Sequence, residues 1–169
     1  MRYTGFPIFG FFWMWIPAFY CRPIVVNQLR TDAKNLARTI MARLHEHPCQ
    51  FLFPMNLKVS GLDFIPGEHP LKSLDSMDET LDIFHQILSS LPLGNMEQIL
   101  NDIENLRRIL QSLSLLLGCS TQKRIEGDAL WNLTEEYAKS PYTMEKVAMD
   151  RFHKSLHNIV KHLEHTLSC

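Results

Sequence analysis

Apolar residues recur at three- and four-residue intervals in four separate stretches of this chain, and each recurrence predicts one amphipathic helix. Leu29, Ala33, Leu36, Ile40 and Leu44 form the first stripe, on a helix of about 20 residues that ends at His45 to Pro48. The second helix carries Met77, Leu81, Phe84, Leu88 and Leu91; Ser76 with Glu79 reads as its capping box, and Pro92-Leu93-Gly94 stops it. Asn95 then caps a third helix bearing Met96, Ile99, Ile103, Leu106, Leu110 and Leu113, which runs out at Gly118. Ser140 and Pro141 open a fourth, with Ala148, Phe152, Leu156, Ile159, Leu163 and Leu167 on one face.

The links decide how these helices are arranged. The short link between the second and third makes them antiparallel neighbours, whereas positions 45–75 and 118–140 are long enough to run the length of a bundle. Two long crossovers flanking a short turn predict an all-α, up-up-down-down four-helix bundle. Ala129, Leu130, Leu133 and Tyr137 share a face and predict a short extra helix in the last link. Leu57 to Ile65 has the only composition that suits extended structure, and no strand pair is expected.

The first residues belong to a different solvent. Arg2 followed by an apolar run from Phe6 to Tyr20 has the form of a secretory signal peptide. The run is about 15 residues, short of the roughly 20 a membrane span needs, and Pro7 and Pro17 interrupt it. The expected organisation is therefore a signal segment over 1–21 and one domain over 22–169, secreted and not inserted in a membrane. Removing Arg2 changes the formal net charge from −1 to −2, and the charges are interspersed, so nothing points to nucleic acid. Of the four cysteines, Cys49, Cys119 and Cys169 fall in the domain. Cys119 with Cys169 ties a helix end to the far end of the last stripe, and leaves Cys49 free or paired between molecules. Were Cys21 retained, Cys21 with Cys49 is the rival arrangement.

Candidate chemistry is sparse. Asp82-x-x-His85 and Asp150-x-x-His153 have the form of di-iron bundle ligands, but at about 100° per residue both pairs point away from the apolar stripes. His153, His157, Lys161 and His165 make a polar outer stripe on the fourth helix, read as a solvated basic face. His45-Glu46-His47-Pro48-Cys49 lacks the spacing of a metal motif. There is no Gly-x-Ser-x-Gly elbow and no phosphate-binding glycine loop, so binding is favoured over catalysis, with no metal and no cofactor expected. Phe51-Leu52-Phe53-Pro54 is an apolar patch in a link, read as packing against the bundle. Asn132-Leu133-Thr134 is a glycosylation sequon whose Asn132 points off the apolar face.

Gly61-Leu62-Asp63-Phe64-Ile65-Pro66-Gly67, Met77-Asp78-Glu79-Thr80-Leu81, Gln86-Ile87-Leu88 and Asn101-Asp102-Ile103-Glu104-Asn105-Leu106-Arg107, with Cys119 and Cys169 in matching places, resemble the leptin family of long-chain helical hormones. The likeness covers most of the domain; the last link and fourth helix match mainly in placement. Its divergence is that of a non-mammalian member. The resemblance implies a circulating hormone that reports energy stores by binding and assembling a class I cytokine receptor, and that is monomeric when free.

It further implies a main receptor face on the first and third helices, at Asp32, Arg38, Thr39, Arg43, Gln98, Asn105, Arg108 and Ile109. A second face is implied at Leu62, Asp63, Phe64 and Ile65 with Thr143 and Met144. Two positions depart from the family: Arg108 stands where an aspartate is usual, and Met144 replaces the threonine of a Ser-Thr pair. The alternatives are another long-chain helical cytokine with a different receptor, and a secreted carrier of an apolar ligand.

Overall fold

The computed structural model describes residues 9–46, 62–67, 71–119, 133–165 and 169. They form five helices: α1 (Phe9–Glu46), α2 (Leu74–Ser90), α3 (Glu97–Leu117), the short α4 (Leu133–Lys139) and α5 (Pro141–His165). There is no strand among the described residues, and Leu62 to Ile65 closes as a turn, with the Ile65 N–H donating to the Leu62 carbonyl. Cys49, Phe51 to Pro54, Ala129, Leu130, Asn132 and Leu167 lie outside the described residues, and with them the loop patch, the sequon and the end of the last stripe.

Each long helix exists because its stripe is buried. Ala33, Ala37, Ile40 and Leu44 of α1, Met77, Leu81, Phe84 and Leu88 of α2, Ile103, Leu106 and Leu110 of α3, and Phe152, Leu156, Ile159 and Leu163 of α5 meet in one core. Leu29 and Leu36, placed on the same stripe by period, are half-buried and sit at its edge.

The helix ends differ in detail from the sequence expectation. The box that opens α2 is Ser73 with Ser76, not Ser76 with Glu79: each serine oxygen accepts the other's backbone N–H. Starting three residues earlier brings Leu74 into the core, and its burial favours Ser73 although its N3 residue is a serine where the pattern has Glu or Gln. Asn95 does not cap α3; the N-cap is Met96, which makes no side-chain bond and is itself buried. Apolar burial of Met96 fixes the entry of the chain there, with Glu97 favourably placed in the first turn. Gly118 ends α3 at φ 74°, a left-handed geometry that glycine adopts without a Cβ penalty. Ser140 and Pro141 open α5 as expected, with the Met144 N–H bonded to the Ser140 carbonyl. The first helix is 38 residues rather than about 20, because it continues upstream to Phe9.

Cross-helix polar contacts fix the directions. Asp78 near the start of α2 pairs with Arg107 of α3 at 3.0 Å, and Ser114 near the end of α3 donates to Asp75 at 3.3 Å, so α2 and α3 are antiparallel. Arg43 at the end of α1 pairs with Asp102 early in α3, which makes these two antiparallel as well. Arg30 reaches the Leu163 carbonyl and Arg38 reaches Glu164 at 2.7 Å, setting α1 against the last turns of α5. Helices α1 and α2 thus run one way and α3 and α5 the other, each pair packed on the opposite pair. This is the up-up-down-down bundle.

Two cross-links close it. Cys119, just past α3, is disulfide-bonded to Cys169, with Cα atoms 5.2 Å apart. At the other end α4 lies on α5, where the Tyr137 hydroxyl donates to Glu145 at 2.9 Å. Desolvation, followed by the bond to Glu145 and the nearness of its charge, raises the Tyr137 pKa.

Candidate functional site

The first candidate surface is the seam between α1 and α3. At about 100° per residue, Asp32, Leu36 and Thr39 lie within roughly 40° of Arg43, which faces α3. On α3, Gln98, Asn105 and Ile109 lie within about 60° of its partner Asp102. Antiparallel packing therefore lays two rows side by side: exposed Asp32 and Thr39 on one helix, exposed Gln98 and Asn105 with half-buried Ile109 on the other. A half-buried apolar residue rimmed by polar groups is the make-up of a protein contact surface. Thr39 keeps its hydroxyl on the Asn35 carbonyl, 2.9 Å away.

Three residues assigned to this face stand apart from it. Arg38 lies about 140° around α1 from Arg43, and its ion pair with Glu164 places it on the α5 side. Arg43 is engaged inward by Asp102, a carboxylate in a residue only 6% exposed. Arg108 is about 120° from Asp102, on the outer surface of α3, and pairs with Glu104 one turn away. The three guanidiniums of Arg38, Arg43 and Arg108 thus point in three directions.

The second candidate surface is the turn 62–65 on α5. Leu62 and Ile65 are buried, and the turn is held by Arg151, whose guanidinium donates to the Leu62 carbonyl at 2.7 Å and the Ile65 carbonyl at 2.9 Å. Asp63 is left exposed and Phe64 half-exposed. Leu62 and Ile65 anchor the turn to the bundle. Met144 is 0% exposed, one helical turn before Ala148 on the buried stripe. The accessible members of this set are Asp63, Phe64 and, half-buried at the start of α5, Thr143.

Arg151 was not singled out from sequence. Its signal was a guanidinium immediately before the buried Phe152, flanking the core stripe and needing an acceptor. We expect Arg151→Ala to cost about 1–2 kcal/mol through two carbonyls that lose a charged donor. Amide exchange should report it first as faster exchange at Ile65, with exchange in mid-α3 changed least.

The remaining polar groups are scaffold or solvated surface. Arg107 bridges Asp78 and Asp82, so the carboxylate considered as a di-iron ligand serves an ion pair between α2 and α3. Asp150 pairs with Lys154 at 3.0 Å. His153, His157, Lys161 and His165 are all exposed, as a solvated stripe should be. Desolvation lowers the His153 pKa, with Asp150 opposing and His157 and His45 adding to the shift. Among the described residues no group of three or more histidine, cysteine or acidic side chains is placed to hold a metal. Leu115, 69% exposed near the end of α3, is an outward apolar residue that the period placed off the stripe.

The family model described as Leptin matches residues 25–169 of the sequence. The chain belongs to the leptin family. It is 37% identical over 163 residues to leptin of Sminthopsis crassicaudata, an overlap covering 96% of this chain and 98% of that relative. Leptin of Homo sapiens is 36% identical over 160 residues, covering 95% of this chain and 96% of the human protein. For leptin of Mus musculus the identity is 35% over 163 residues, with 96% and 98% covered. The leptin family is a family of hormones and not of enzymes, which directs attention to the two surfaces described above.

Proposed function

We propose that this leptin-family chain is a secreted hormone that reports energy stores by binding a class I cytokine receptor of the leptin-receptor kind and bringing receptor chains together. Family membership over residues 25–169 is the observation that carries the reading. Its local support is the α1–α3 seam, which carries exposed Asp32 and Thr39 on one helix and exposed Gln98 and Asn105 with half-buried Ile109 on the other. A second contact at Asp63, Phe64 and Thr143 sits on a different part of the bundle, which suits engagement of two receptor modules by one free monomer. Arg108, outward on α3 and off this seam, is a charge that acts more on encounter and partner choice than on affinity.

Secretion is part of the same reading. Residues 1–21 have the composition of a signal segment, the family match begins at residue 25, and a disulfide such as Cys119–Cys169 persists in oxidising compartments. No helix among the described residues is long and apolar enough to cross a membrane. Asn132, in its sequon, is proposed as a glycan acceptor.

The test is surface-resonance binding of residues 22–169 to the leptin-receptor ectodomain of the same species, with an unrelated cytokine receptor as control. Saturable binding to the first alone is expected, and Phe64→Ala should impair signalling in receptor-bearing cells more than it impairs this binding. Folded protein that binds neither receptor overturns the proposal.

A further inference from the structure

Asp102 poses a problem that the α1–α3 seam solves in one way. It belongs to a residue 6% exposed, at the edge of the stripe that buries Ile99, Ile103 and Leu106 on α3. A carboxylate in that position needs a cation, and Arg43 of α1 supplies it. Apolar packing between two helices is non-directional: a slip of α1 by one turn, about 5.4 Å, still sets leucines and alanines against leucines and isoleucines. The same slip strips Asp102 of its partner. The pair therefore selects the axial register of α1 on α3, and that register decides which exposed residues stand beside one another across the seam.

We propose that Arg43 is a positioning residue of the receptor face, acting through Asp102 to hold Asp32 and Thr39 alongside Gln98, Asn105 and Ile109, and is not itself a contact residue. The inference rests on the proposed function for its biological readout, and on the seam geometry for its cause. Asp102 is too enclosed to touch a partner, so a contact role and a positioning role for Arg43 separate cleanly at its other end.

The experiment is a double-mutant cycle in residues 22–169 with Arg43→Met, Asp102→Leu and the two together, read by receptor affinity and thermal unfolding. Either single change is expected to weaken binding by about tenfold, since it strands a charge or removes the register pair. The apolar double variant should return to within about twofold of the parent. Arg43→Lys, which keeps a cation within reach of Asp102, guards against the double variant failing to fold and should bind close to parental strength. The proposal is overturned if Asp102→Leu binds as the parent does, or if the double or lysine variant recovers stability yet binds as weakly as Arg43→Met. Spin labels at Thr39→Cys and Asn105→Cys, in a Cys49→Ser background, separate this from the receptor assignment. A parent that binds no receptor ends the proposed function. A label distance distribution that Arg43→Met leaves unchanged ends the positioning role.

Discussion

Phe152→Ala is expected to destabilise the bundle by about 3–5 kcal/mol, the range for removing an aromatic ring from a close-packed core. The ring belongs to a residue 0% exposed at the middle of α5 and lies 5.0 Å, centroid to centroid, from that of Phe84 on α2. Of the four seams around the bundle, α2 on α5 is the sparsest, so the two rings carry a large share of it. Neighbouring leucines are fixed by their own helices and can close only part of the space left behind. Against a usual domain stability of about 5–15 kcal/mol the loss is severe. Urea unfolding followed by helical dichroism should show it as a lower midpoint. Phe152→Leu, which refills much of the volume, should cost about 1–1.5 kcal/mol. Equal midpoints for the alanine variant and the parent would show that the pair is not a keystone of the core.

The second large effect is expected at Cys169→Ser. The disulfide to Cys119 spans 50 positions and joins the ends of two helices that run in the same direction. On the chain-entropy model, closing a loop of that size in the unfolded chain is worth roughly 4 kcal/mol. The variant should refold in lower yield and melt at a lower temperature, and Cys119→Ser should match it because both delete the same link. A reducing agent should bring the parent down to the level of the variants and leave the variants themselves unmoved. A melting temperature indifferent to reductant would refute the stabilising role.

The bundle was legible because burial follows period. The stripes of α2, α3 and α5 were set by residues that, wherever they are described, reached the core, and the lengths of the links alone implied the directions that the ion pairs report. Met144 was legible too: it falls four residues before Ala148, on the buried stripe, and family analogy drew it to the surface against the period. Arg38 and Arg43 likewise sit about 140° apart on one helix, which forbids a common patch on a single side of α1. The cap of α2 was not legible, since Ser76 with Glu79 fits the usual pattern and Ser73 with Ser76 does not, while the burial of Leu74 favours the latter. The Arg43–Asp102 pair was beyond sequence reasoning for a deeper cause. Its members are 59 positions apart, and their meeting depends on which helices are neighbours and in what register.

The hold of Arg151 on the turn has a bearing on which side chains this surface can carry. The guanidinium grips main-chain oxygens of positions 62 and 65, which every amino acid carries. The shape of the turn is thus insulated from the identity of the two side chains at its tip, Asp63 and Phe64. New recognition can be tried at that tip one substitution at a time while the peptide path beneath stays put. The turn behaves as a replaceable bit in a fixed chuck, and the same property makes exposed position 63 the place to graft a foreign side chain onto this bundle, while Phe64 still packs on its core.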